Sequence, residues 1–142
     1  TDVVAALGLI QFERYPEMLT KRKKMIEKMD AAFADINVTV LNHYGKNHAS
    51  SGHLYIVRLL GKTREQTNKI IEMMAERGIA TNVHYKPLPM MTAYKKMGFD
   101  IKDFPNAYHM FENEITLPLN TKMTMEDVDY VIADFVDIVK SF

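Results

Sequence analysis

No cysteine occurs anywhere in the chain, which removes a disulfide framework, a thiol nucleophile and a zinc site built on thiolates. That composition suits a reducing cytoplasm, where the protein is expected to reside. Neither sign of charge is in excess. The 18 Lys and Arg residues are matched by 18 Asp and Glu, so there is no net field to gather nucleic acid or an anionic membrane. Long apolar runs are missing too: nothing approaches the roughly 20 residues that span a bilayer, and no signal peptide is visible. Nucleic acid and membrane are therefore not expected partners. The glycine-rich phosphate loop, the G-x-S-x-G elbow and the H-E-x-x-H motif are absent as well.

What remains is ample for one domain, since 142 residues at 47% hydrophobic bury a core without covalent staples. The chain begins at Thr1, almost inside an apolar helical pattern. We therefore expect residues 1–142 to be a piece of a longer chain, with catalytic residues outside it. Val3, Leu7 and Ile10, with Val4, Ala6 and Leu9 beside them, predict a short helix that is apolar on most sides and needs burial. A second helix is predicted from Pro16, placed in its first turn, with Leu19, Ile26, Met29 and Phe33 on one stripe. The basic run Thr20 to Lys24, followed by Glu27 and Asp30, reads as a solvated helix face rather than a phosphate patch.

Ile36, Val38 and Val40 alternate with polar neighbours as a half-buried strand does, His43 to Gly52 reads as a loop, and His53 to Leu60 as a central strand. Thr63 and Gln66 have capping-box spacing, and Gly78 stops the helix that they start. Ile79 to Tyr85 alternates again and is expected to be a strand with one polar face, ended by Pro87 and Pro89. Two short helices, a strand at Glu114 to Leu119 and a final helix opened by Thr124 and Asp127 complete the order α-α-β-β-α-β-(α-α)-β-α. That order predicts an α+β, two-layer domain, a small sheet covered by helices with a crossover through the Thr63 helix.

Candidate chemistry is sparse. The five histidines are scattered without metal-ligand spacing. The acidic residues Glu126, Asp127 and Asp129 complement the positive end of the last helix. The 11 methionines read as adaptable core or interface filler. His84 stands apart, at the carboxyl end of its strand and beside Asn82, followed by Tyr85, Lys86 and a rigid Pro-Leu-Pro. There it is either a solvent-facing edge residue or a donor to a phosphate or sugar oxygen, with Lys86 as a point charge for a diphosphate.

Four stretches, in order, resemble motifs of the DegT/DnrJ/EryC1/StrS family of sugar aminotransferases, which depend on pyridoxal phosphate (PLP). "TDVVAALGLIQFER" is similar to its T-D-x-x-A-A-L-G-L-x-Q-L-E segment, and "SSGHLYIVRL" to its S-x-H-L-Y strand. "GIATNVHYKPLPMMTAYKKMGF" resembles its V-H-Y-x-P-L-H segment, and "EITLPLNTKMTMEDVDYVI" its L-S-L-P-L ending. The resemblance implies a single carboxy-terminal small domain of a fold-type I transferase. A large amino-terminal domain, outside this chain, would supply the Schiff-base lysine and hold PLP.

It further implies a homodimeric enzyme moving an amino group from glutamate to a keto sugar on a nucleotide, and no activity for this piece alone. His84 and Tyr85, matching V-H-Y, are carried over as substrate-binding residues, whereas His53 is taken as structural. No residue here is carried over as catalytic, cofactor-binding or metal-binding, and Lys86 matches no Schiff-base motif. Pro89 stands where many members have a second histidine, and Asn120-Thr121-Lys122 replaces the usual proline turn. A stand-alone ligand-sensing or dimerisation module, and a PLP-dependent dehydratase relative, are the alternative readings.

Overall fold

A proline inside a helix removes one N–H donor and crowds the preceding turn, at a cost of about 3 kcal/mol, yet a helix continues through it when its neighbours favour the helical state. In the computed structural model, which describes residues 1–142, the two expected opening helices are one. This helix, α1 (Asp2–Phe33), runs unbroken with Pro16 in its interior. Glu13, Arg14, Glu17, Met18 and Leu19 around the proline are strong helix formers. Met25, Ile26, Met29 and Phe33 anchor the later half in the core. The basic run lies on that half as expected, but part of it is engaged. Lys21 Nζ donates to the Thr121 carbonyl at 2.7 Å, and Arg22 Nη1 to that of Ser51 at 3.3 Å. The apolar residues of the first half are not covered by the rest of the chain: Val3, Leu7 and Phe12 are 72%, 64% and 74% exposed.

The strands are β1 (Val38–Val40), β2 (Tyr44–Gly45), β3 (His48–Ala49), β4 (Tyr55–Leu59) and β5 (Glu114–Leu117). The main sheet has the order β1-β4-β5 and is antiparallel throughout. Its register pairs Tyr55 with Leu117 and Val57 with Ile115, and all four are buried. Those side chains point at the helical layer. Ile56 with Thr116 and Arg58 with Glu114 point the other way, because alternate residues of a strand take opposite faces. The stretch read as a loop holds the β2–β3 hairpin, turned by Lys46 and Asn47.

The remaining helices are α2 (Arg64–Glu76), α3 (Thr92–Lys96), α4 (Pro105–Glu112) and α5 (Met125–Lys140), with 3-10 turns at Leu88–Met90 and Ile101–Asp103. Both N-terminal caps form as the spacing predicts. The Thr63 hydroxyl accepts from Gln66 N–H while Gln66 Oε1 accepts from Thr63 N–H, and Thr124 and Asp127 do the same for α5. Gly78 takes φ 73°, a left-handed value cheap only for glycine, and turns Ile79 into the core. Arg77 clamps α2 to α5 through Asp134 at 2.5 Å and Asp137 at 2.6 Å.

The strand expected over Ile79 to Tyr85 is reduced to one bridge. Asn82 exchanges backbone hydrogen bonds with Thr116 at 3.1 and 2.8 Å. Beyond it the ladder is diverted, since the His84 N–H is taken by the Glu114 carboxylate rather than by a strand carbonyl. Pro87 and Pro89 then offer no donors. Antiparallel to β5, the Asn82 segment runs parallel to β4, so α2 forms a crossover that is split by β5. The expected α+β, two-layer domain is thus the observed one.

An aromatic row ties the layers together. Phe135 of α5 lies 5.1 Å from Phe33, Phe33 lies 6.1 Å from Tyr55, and Tyr55 stacks on His43 at 5.8 Å between ring centroids. The Tyr55 hydroxyl donates to Asp30 at 2.7 Å. His43 is 4% exposed, its Nε2 has no partner, and burial lowers its pKa against the opposing pull of Asp30. The unfolded chain therefore binds the His43 proton more readily than the folded one. Its contribution to stability is full above about pH 6.5, the unfolded value, and is lost as pH falls towards the folded pKa. Thermal unfolding in buffers on either side of that pH is expected to show a falling Tm on acidification, and His43→Phe a shallower fall. An equal slope in both proteins would remove His43 from the account.

Candidate functional site

The sheet face turned away from the helical core carries a polar network. Glu114 and Thr116 are only 4% and 5% exposed, and Thr116 pairs with Asn82 through the single bridge. The Thr116 hydroxyl donates to Glu114 Oε1 at 2.6 Å, and His84 Nδ1 lies 2.9 Å from Thr116 Oγ1. Glu114 Oε2 accepts the His84 backbone N–H at 3.0 Å. A buried carboxylate thus holds one residue by its backbone and, through a hydroxyl, by its ring. Each buried polar atom of the three has a partner, which low-dielectric burial demands.

Two arginines lie near Glu114, each with its guanidinium hydrogen-bonded elsewhere than to the carboxylate: Arg58 donates to Asn113 Oδ1 at 3.1 Å and to the His109 carbonyl at 3.2 Å. Arg58 is the cross-strand neighbour of Glu114, where opposite charges are favourable. The guanidinium of Arg64, half-buried, donates to the carbonyls of Phe111 at 2.9 Å and Glu114 at 3.4 Å. Desolvation lowers the Arg64 pKa, and the charge of Glu114 opposes that shift.

His84 borders a cleft of about 300 Å³, which is also lined by His53, Thr81, Asn82, Thr116 and Pro118. A depression of similar size, about 290 Å³, lies between α1 and Thr121-Lys122. Its walls include the side chains of Arg14, Glu17 and Lys21. Only the His84 cleft is backed by a fixed, buried polar network, the arrangement that orients a ligand.

Tyr85 packs edge-on against the His84 ring at 4.7 Å and is 74% exposed. Alternation of Ile79, Thr81, Val83 and Tyr85 against Ala80, Asn82 and His84 puts Tyr85 on the strand's apolar side, and the structure reverses the pair: His84 is half-buried and Tyr85 stands in solvent. The peptide bond between them is cis. Lys86 is exposed and lies outside the cleft lining. His53, taken as structural, is exposed at the same cleft. No three His, Asp or Glu side chains converge in a way that would hold a metal ion. Sequence reasoning missed Glu114 and Thr116. The available signal was an acidic residue two places before a threonine in an otherwise apolar strand, which puts both on one face.

A site for PLP needs a lysine for the Schiff base and an acid for the pyridine nitrogen. The lining of the cleft contains no lysine and no carboxylate, so the residues of the cleft do not fit that group.

The profile of the DegT/DnrJ/EryC1/StrS aminotransferase family matches residues 1–136. A Streptococcus pneumoniae protein assigned as a sugar aminotransferase, solved in apo, PMP and PLP forms, is similar at 49% identity. Its apo form superposes with a TM-score of 0.95 over 99% of this chain and 35% of its own. The spore coat polysaccharide biosynthesis protein SpsC of Bacillus subtilis is 35% identical over 98% of this chain and 36% of its own length. The UDP-4-amino-4,6-dideoxy-N-acetyl-beta-L-altrosamine transaminase of Campylobacter jejuni is 30% identical over 92% of this chain and 35% of its own. The chain thus spans about a third of the length of the proteins it matches.

Proposed function

Because the chain belongs to the DegT/DnrJ/EryC1/StrS aminotransferase family, we propose that residues 1–142 are the carboxy-terminal small domain of a PLP-dependent enzyme. That enzyme transfers an amino group from glutamate to a keto sugar carried on a nucleotide, in the cytoplasm, as a homodimer. The observation that carries this reading is the His84 cleft: a ring fixed from behind by Thr116 and Glu114, with Tyr85 at the rim. His84 and Tyr85 are the substrate-side residues. The Campylobacter jejuni relative, a transaminase named for a UDP-linked amino sugar, supports a nucleotide sugar as the ligand.

The cofactor supplies the electron sink for amino transfer, and in this reading a large domain outside the chain holds it. The uncovered apolar residues of α1, Val3 to Phe12, are the surface that such a domain would bury. Alone, the piece is expected to be inactive. The test is spectroscopic: mixed with PLP and freed of excess, the chain is expected to show no near-visible band of a lysine-bound cofactor. A stable band that survives dilution would overturn the division of labour between the two domains.

A further inference from the structure

We propose that Glu114 and Thr116 are positioning residues that fix His84 as the Nδ1–H tautomer, so that its Nε2 faces the cleft as a hydrogen-bond acceptor for a ligand hydroxyl. The inference rests on the proposed function only for the ligand being a sugar, and its geometry stands without it. Glu114 accepts two hydrogen bonds, the His84 N–H on Oε2 and the Thr116 hydroxyl on Oε1. The carboxylate that receives these two hydrogens acts as acceptor to both.

With its proton committed to Glu114, Thr116 Oγ1 has only lone pairs left for the ring nitrogen 2.9 Å away. His84 Nδ1 must then carry the hydrogen. A neutral imidazole has one donor and one acceptor, and which nitrogen is which follows from the bond that the other makes. Nε2 has no partner in the protein and keeps its lone pair, on a residue that lines the cleft.

The polarity selects a ligand chemistry. A sequence reading of His84 as a donor to phosphate or sugar oxygen gives way to one in which the neutral ring accepts from a hydroxyl. It repels a phosphate oxygen, which has no proton to offer. Within a nucleotide sugar, His84 therefore reads the sugar ring and not the diphosphate. The chain of three also explains why a strand on the sheet's outer face has a buried glutamate at all. With Ala at position 114, the Thr116 proton would be free to turn towards Nδ1, and the ring would present a donor instead.

The experiment is two-bond ¹H–¹⁵N correlation of the histidine rings of the 142-residue chain, in alkaline buffer where imidazole is neutral. The expected result is a protonated Nδ1 and an unprotonated Nε2 for His84, the reverse of the form favoured by free side chains. Thr116→Val is expected to return His84 to the Nε2–H form and Thr116→Ser to keep Nδ1–H, a contrast that a merely structural role would not produce. Millimolar sulfate, an oxyanion that carries no proton in this buffer, is expected to leave both ring nitrogens unmoved. An Nε2–H signal in the unsubstituted chain, or a sulfate titration that moves Nε2 to a protonated value, overturns the proposal. Neither readout involves amino transfer, so failure of the aminotransferase reading would leave an Nδ1–H signal intact.

Discussion

Phe135→Ala is expected to lower the stability of the chain by about 3–5 kcal/mol, the range for removing a buried phenyl ring and leaving a cavity. Phe135 is fully buried, and it is the member of the aromatic row through which α5 reaches α1. Its loss removes the tilted contact with Phe33 as well as the transfer free energy of the ring. With a domain's total stability on the order of 5–15 kcal/mol, the variant is expected to be partly unfolded near physiological temperature. Phe12→Ala makes the same chemical change at a site that is 74% exposed, and is expected to shift stability by no more than about 0.5 kcal/mol. Urea unfolding of both variants checks the contrast. Equal losses would mean that the exposed half of α1 is packed in solution or that α5 does not seat as described.

The second large effect concerns His84. In an exchange enzyme, where this chain replaces the corresponding residues of the Streptococcus pneumoniae relative, His84→Ala is expected to lower kcat/KM about 10–100-fold. That is equivalent to about 1.4–2.7 kcal/mol, within the cost of about 1–3 kcal/mol for leaving a buried hydrogen-bonding group of the substrate without its partner. If the ring binds ground state and transition state alike, the loss falls on KM and leaves kcat near its original value. The cofactor absorbance is expected to be unchanged, because no residue of the His84 cleft fits that group. A variant with normal kcat/KM would strip His84 of its role, and one with lost cofactor absorbance would place the cofactor against this domain.

Local signals were legible and long-range ones were not. The caps at Thr63 and Thr124 were readable because each is closed within three residues. The stripe of Val128, Val131 and Phe135 was readable because helical period and burial coincide there. Pro16 misled because a local rule, that proline opens a helix, was outweighed by the residues on both sides of it. The Ile79 to Tyr85 segment misled because strand alternation does not reveal whether a neighbour's backbone is available. Glu114, 30 residues away in sequence, took the His84 N–H and ended the pairing. The same distance hid the site's supporting shell. His84 and Tyr85 were singled out as candidates by position and by resemblance, but nothing near them in sequence pointed to Thr116, 32 residues on from His84.

The exchange enzyme is also the most direct test of the central claim, that this chain is the substrate-side domain of a sugar-nucleotide aminotransferase whose reactive centre lies elsewhere. Loaded with PLP and supplied with glutamate, it is expected to aminate a UDP-linked keto sugar, while the 142-residue chain under the same conditions forms no product. A folded, cofactor-loaded exchange enzyme without turnover on UDP- or dTDP-linked keto sugars would contradict the account, as would product formed by the isolated chain.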